Sequence, residues 1–86
     1  PLMPRYMENL RTNMAAMAIA VAQGDLDRVR DLGHLMKGTG SSFGCDAVTL
    51  LSGLLEESAR AGRRDTVLSL ERELEDYVSR IELAPS

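Results

Sequence analysis

Asp65-Thr-Val-Leu-Ser-Leu-Glu-Arg-Glu-Leu-Glu-Asp-Tyr-Val-Ser-Arg-Ile81 carries apolar side chains at Val67, Leu70, Leu74, Tyr77, Val78 and Ile81. Steps of three and four place all six on one stripe of a 3.6-residue helix, whereas a half-buried strand would alternate every second residue. Asp65 suits the start of such a helix and Pro85 its end. Arg72/Asp76 and Asp76/Arg80 stand four apart, where helical side chains meet. Glu71, Glu73, Glu75 and Asp76 are read as the solvated face.

The same spacing recurs three times upstream. A third helix carries Val48, Leu51, Leu54 and Leu55, has a Glu56/Arg60 pair and stops at Gly62. A second, capped by Asp25, carries Leu26, Val29, Leu32, Gly33 and Met36. A first, from Pro4 to the stop at Gly24, carries Met7, Leu10, Met14, Met17 and Val21. Met7, Met14 and Met17 are read as core, the other reading being an adaptable docking surface around the histidine. The segment Gly38-Thr-Gly-Ser-Ser-Phe-Gly44 is rich in helix breakers and reads as a turn. Helices are therefore expected at roughly 4–23, 25–39, 45–61 and 64–83, within a single domain over 1–86. Four amphipathic helices with short links bury their stripes best as an all-α, antiparallel four-helix bundle, up-down-up-down.

Composition narrows the functional classes. Eighty-six residues, 44% apolar and 27% charged, support one small globular core. Tyr6, Phe43 and Tyr77 are the only aromatic residues, so that core is aliphatic. A net charge of −3 argues against nucleic acid or an anionic membrane as partner, since both reward a basic face. One cysteine, Cys45, excludes an intrachain disulfide, and with one histidine it leaves too few ligands for a structural zinc. Cys45 is read as a small buried residue, a redox role being the minor alternative. No apolar run approaches the roughly 20 residues needed to cross a bilayer. Met14 to Ala22 is short and lacks the basic flank of a signal peptide. A reduced, cytoplasmic setting is expected, and a monomer, because four helices can close their own core.

His34 draws the chemistry. On a helical wheel it lies opposite the apolar half formed by Leu26, Val29, Leu32, Gly33, Leu35 and Met36, and so points at solvent. Lys37 stands one turn above it, with Gly38 beside it on that turn. A glycine inside a helix costs about 1 kcal/mol relative to alanine, so it calls for a reason. Here it leaves the ring open to a bulky incoming group. Lys37 offers a mobile cation for an anion formed at the ring. An ordinary imidazole is mostly neutral at pH 7 and so nucleophilic. Nucleophile, cation and open approach are what a phosphoryl acceptor needs, because phosphoryl transfer depends mainly on positioning and charge stabilisation. Arg30 could help hold the phosphoryl group, or be solvated or paired with Asp27. Ser41 and Ser42 could bond the imidazole or the phosphate, or cap the third helix.

Leu32-Gly-His-Leu-Met-Lys-Gly-Thr-Gly-Ser-Ser-Phe-Gly44 resembles the signature of histidine-containing phosphotransfer (HPt) domains. The resemblance continues through Leu51, Leu54, Leu55, Glu56 and Ala59, which look like the family's leucine- and glutamate-rich third helix. It implies that His34 is phosphorylated at Nε2, that Lys37 stabilises the phosphoryl group, that Gly38 gives access and that Gly44 shapes the turn into the third helix. It implies no nucleotide site and no cofactor. The expected partners are receiver domains of response regulators or hybrid sensor kinases, one donating from its phospho-aspartate and another accepting. Met36, Thr39 and Gly33 depart from commoner residues but keep size or polarity. The competing reading is a pseudo-HPt interaction module that binds a receiver or kinase without carrying phosphate. A kinase is disfavoured because the chain lacks an ATP-binding domain, a metal-binding bundle because it lacks Glu-x-x-His pairs, and a DNA-binding helix-turn-helix on charge.

Overall fold

The computed structural model describes residues 2–42 and 44–83. Four helices follow one another, α1 (Leu2–Gln23), α2 (Leu26–Ser42), α3 (Asp46–Arg60) and α4 (Arg64–Leu83), with no strand among the described residues. At a rise of about 1.5 Å per residue, α1 runs about 33 Å, most of the 37 Å long axis of the molecule. Short turns reverse the chain between helices, so sequence neighbours pack antiparallel. α2 and α3 form the most extensive pair, and α4 closes the bundle against α3 and α1.

The turns have a common chemistry. Gly44 holds φ at +71°, a left-handed conformation that costs a residue with a Cβ about 1–2 kcal/mol. Its N–H reaches Ser41 O at 3.3 Å, and the next N–H, of Cys45, reaches Gly40 O at 2.9 Å, so the last carbonyls of α2 are satisfied. Gly24 and Gly62 close α1 and α3 in the same pattern. Asp25 caps α2, its Oδ1 accepting the Arg28 N–H at 3.1 Å.

Each expected stripe reaches the core: Leu10, Met14 and Met17 from α1, Val29, Leu32 and Met36 from α2, Val48 and Leu55 from α3, Val67, Leu74 and Val78 from α4. A fully buried side chain of this size contributes about 1.5–3 kcal/mol. Met7 packs half-buried against the same cluster. Leu35 departs from its expected place in the apolar half and is about half exposed, as is Leu54 in part.

Two further expectations change. The segment from Gly38 is not a turn: α2 continues through Ser42, past the expected end at 39. The hydroxyls of Thr39 and Ser42 bond back to carbonyls of their own helix, Thr39 Oγ1 to Met36 O and Ser42 Oγ to Gly38 O, each at 3.2 Å. Gly40 is buried against α3, where a Cβ would stand 2.7 Å from Thr49 Oγ1. Helix packing has overridden local propensity, and glycine here serves close approach. Phe43 and Pro85, read as part of the motif and as the end of the fourth helix, lie outside the described residues.

Glu71 is the second correction. It faces inward on α4, only 7% exposed, not out to solvent with Glu73 and Glu75. Its Oε2 has no hydrogen-bond partner among the described residues. Burial first, then the hydrogen bond and charge of Glu75, push its pKa up from 4.5 to about 7, against the opposing charge of Arg72. The folded state therefore holds a proton that the unfolded chain releases, and stability falls as pH rises from about 4.5 through about 7. Glu71→Gln removes the ionisation. It is expected to stabilise the domain at pH 8 by on the order of 1–3 kcal/mol, with little gain at pH 4.5. Urea midpoints at the two pH values test this, and an equal shift at both would contradict it.

Candidate functional site

α2 places His34 on the outer face of its pair with α3, with the side chain 71% exposed. The ring is not free. Its Nδ1 lies 3.0 Å from Glu56 Oε2 on α3. Glu56 also accepts Lys37 Nζ on Oε1 at 2.9 Å and Arg60 Nη2 on Oε2 at 3.2 Å. One carboxylate, its side chain only 8% exposed, thus gathers the imidazole and two cations.

The charge state of this carboxylate follows from its partners. The hydrogen bond from Lys37 is the largest influence and holds the Glu56 pKa below its ordinary value; burial opposes it, and the His34 bond and both charges add to the lowering. Glu56 is therefore ionised at neutral pH and can only accept. The bond to His34 then assigns the proton to Nδ1 and leaves Nε2 with its lone pair.

Glycines decide how closely these groups meet. A Cβ on Gly38 would find nothing within 4 Å, so this position leaves open space one turn above the ring. Gly53 on α3 leaves room for the Lys37 stem, whose Cδ lies 3.2 Å from where its Cβ would stand. Lys37 can therefore lie across α3 to reach Glu56. Beside the ring, Arg30, Asp31, Glu56 and Arg60 line an open depression with His34.

The other residues singled out in the sequence bond to neither Glu56 nor His34, although Arg30 borders the same depression. Arg30 pairs with Asp27 at 3.6 Å and with Asp31 at 3.3 Å, so its charge is held along α2. Ser41 and Ser42 are exposed in the last turn of α2. Neither caps α3, whose N-cap residue is Cys45 without a side-chain cap bond. Gly44 stands in the α2–α3 turn.

Glu56 is the residue that sequence reasoning passed over as a site member, placing it only in an i,i+4 pair with Arg60 and in the glutamate-rich third helix of the family resemblance. The signal lay in the wheel: Glu56 follows Ser52 by four and precedes Ala59 by three, and all three are buried. A carboxylate on that flank needs partners, because Glu is almost never buried unpaired.

The described residues thus form an all-helical bundle with an imidazole held outward by a buried carboxylate and with cations beside it. A family model described as Hpt domain matches residues 2–84 of the 86-residue chain. The chain belongs to the Hpt domain family, a histidine phosphotransfer module of two-component signalling. Domains of this family are phosphocarriers that interact with receiver domains in phosphorelays. Neither a curated protein nor a solved structure gave a match. No helix among the described residues is long and apolar enough to cross a membrane.

Proposed function

We propose that His34 accepts a phosphoryl group on Nε2 from a receiver's phospho-aspartate and passes it to the aspartate of a second receiver, in a cytoplasmic relay. The observation that carries this reading is the 3.0 Å bond from Nδ1 to the ionised Glu56 carboxylate beneath an exposed ring. In the forward step the Nε2 lone pair forms the N–P bond as the aspartyl O–P bond breaks, and the receiver's carboxylate leaves. The Nδ1 proton stays between ring and carboxylate, so the positive charge that develops on the ring meets Glu56. The same contact serves discharge, since with Nδ1 protonated the N–P bond breaks to release a neutral imidazole, a better leaving group than imidazolate, as the receiver's aspartate takes the phosphoryl group. Gly38 keeps the approach to the ring open.

Lys37 starts on Glu56 and, being on a flexible, part-exposed stem, swings to the phosphoryl oxygens as they arrive. Arg60 then remains on the carboxylate. An interaction between part-exposed charges is worth about 1 kcal/mol or less. Lys37→Ala is accordingly expected to slow transfer and shorten the phosphohistidine lifetime by about fivefold, with helicity intact. Unchanged transfer and decay kinetics would remove Lys37 from the account.

The reading is tested by intact-mass spectrometry after mixing the domain with receivers charged by acetyl phosphate, with His34→Gln alongside. The expected result is one acid-labile phosphoryl adduct, lost in His34→Gln. Binding to a receiver with no adduct would favour an interaction module instead.

A further inference from the structure

Arg30 and Asp31 stand four and three residues before His34 on α2, where helical side chains meet. A helical side chain leans toward the N-terminus of its helix, so the imidazole lies over this turn. Arg30, Asp31 and His34 border one open depression together with Glu56 and Arg60. The guanidinium there is already engaged. Its Nε and Nη2 both donate to Asp31 Oδ1 at 3.3 Å, and its Nη1 lies 3.6 Å from Asp27 Oδ1. The side chain of Arg30 is 39% exposed, against 44% for Lys37 and 65% for Arg60, as befits a cation drawn in along its helix. The two sides of the ring therefore differ in charge. On α3 one carboxylate, Glu56, faces two cations, Lys37 and Arg60. On α2 two carboxylates, Asp27 and Asp31, face one cation.

Resting on the phosphoacceptor reading of His34, we infer that Asp31 is a positioning residue that sets how readily the histidine gives up its phosphoryl group. It holds Arg30 along α2 and so withholds that cation from the phosphoryl oxygens. A free guanidinium forks onto two oxygens of one phosphoryl group, but this one has committed Nε and Nη2 to a carboxylate. The bonds made and broken in transfer are unchanged; only the charge around the phosphorylated ring differs. A phosphohistidine denied one cation is less stable relative to the receiver's phospho-aspartate, which favours passing the group on. Asp27 is the weaker hold, since it is 89% exposed and stands at 3.6 Å. Asp31 therefore decides where Arg30 points.

The experiment is a double-mutant cycle of wild type, Asp31→Asn, Arg30→Gln and the pair. Each is mixed with a receiver charged by acetyl phosphate, excess acetyl phosphate is removed, and intact mass gives the ratio of phosphorylated domain to phosphorylated receiver at equilibrium. That ratio compares the separated proteins, so a changed docking contact alters the rates and leaves it in place. Asn keeps the shape of Asp31 and removes its charge, and circular dichroism follows helicity in all four. Asp31→Asn is expected to raise the ratio by about threefold, within what release of one exposed ion pair carries. In the Arg30→Gln background the same substitution should leave the ratio unchanged. A gain that persists without Arg30 would show Asp31 acting through its own charge and would overturn the inference. So would an unchanged or lowered ratio in Asp31→Asn while the wild type is phosphorylated on His34. A wild type that takes no phosphoryl group from any receiver would instead sink the phosphoacceptor reading, and the role of Asp31 with it.

Discussion

Glu56→Gln is expected to slow phosphoryl transfer to His34, and from it, by about tenfold to a hundredfold. Two effects of the substitution oppose each other. The ring loses a carboxylate that stabilises the charge developing on it during attack and discharge, a charge-assisted bond worth about 1.5–3 kcal/mol. Lys37 and Arg60 lose their anion and become free to attract the phosphoryl group. Their side chains are 44% and 65% exposed, so that gain stays near or below about 1 kcal/mol. The loss dominates. Because the phosphorylated ring also keeps its Nδ1 proton on the carboxylate, both rates fall, the forward one more, and the equilibrium moves toward the receiver. Rapid-quench kinetics in both directions check this, and a faster Glu56→Gln would show that the freed cations outweigh the orienting bond.

Gly38 separates function from stability. Its missing Cβ faces open space, so Gly38→Ala relieves a helix-interior glycine and is expected to raise stability by about 0.5–1 kcal/mol. Helical side chains lean toward the N-terminus, onto the residue four before. A leucine at this position lies over the His34 ring and displaces an incoming receiver. A misplacement of about 1 Å can cost roughly a hundredfold in rate, and Gly38→Leu is expected to slow transfer by about that factor while keeping the fold. Denaturant midpoints and transfer rates for glycine, alanine and leucine should run in opposite directions. A leucine variant transferring at full rate would show that receivers do not approach over this turn.

The legible part of the molecule was what one helix carries by itself. Leu74 and Val78, or Val29 and Met36, announce their burial through spacing alone, and the exposure of His34 follows from the same wheel. What crosses between helices was not legible. Glu56 lies 22 residues from His34, and no local pattern states that α3 will bring them together. The breakers after Lys37 misled for a related reason: Gly40 is there for Thr49 on α3, and α2 runs on through it. Glu71 carried a readable warning, four residues after Val67 and three before Leu74, inside the apolar stripe. Its acidic neighbours outvoted that position.

The central claim is that His34 carries the phosphoryl group on Nε2 while Glu56 retains the proton on Nδ1. NMR of the ¹⁵N-labelled domain, phosphorylated by its receiver and held at alkaline pH, tests it most directly, through phosphorus coupling to the ring nitrogens. The account predicts a single phosphohistidine, at Nε2 of His34. Phosphorylation at Nδ1, or on any other residue, would contradict it.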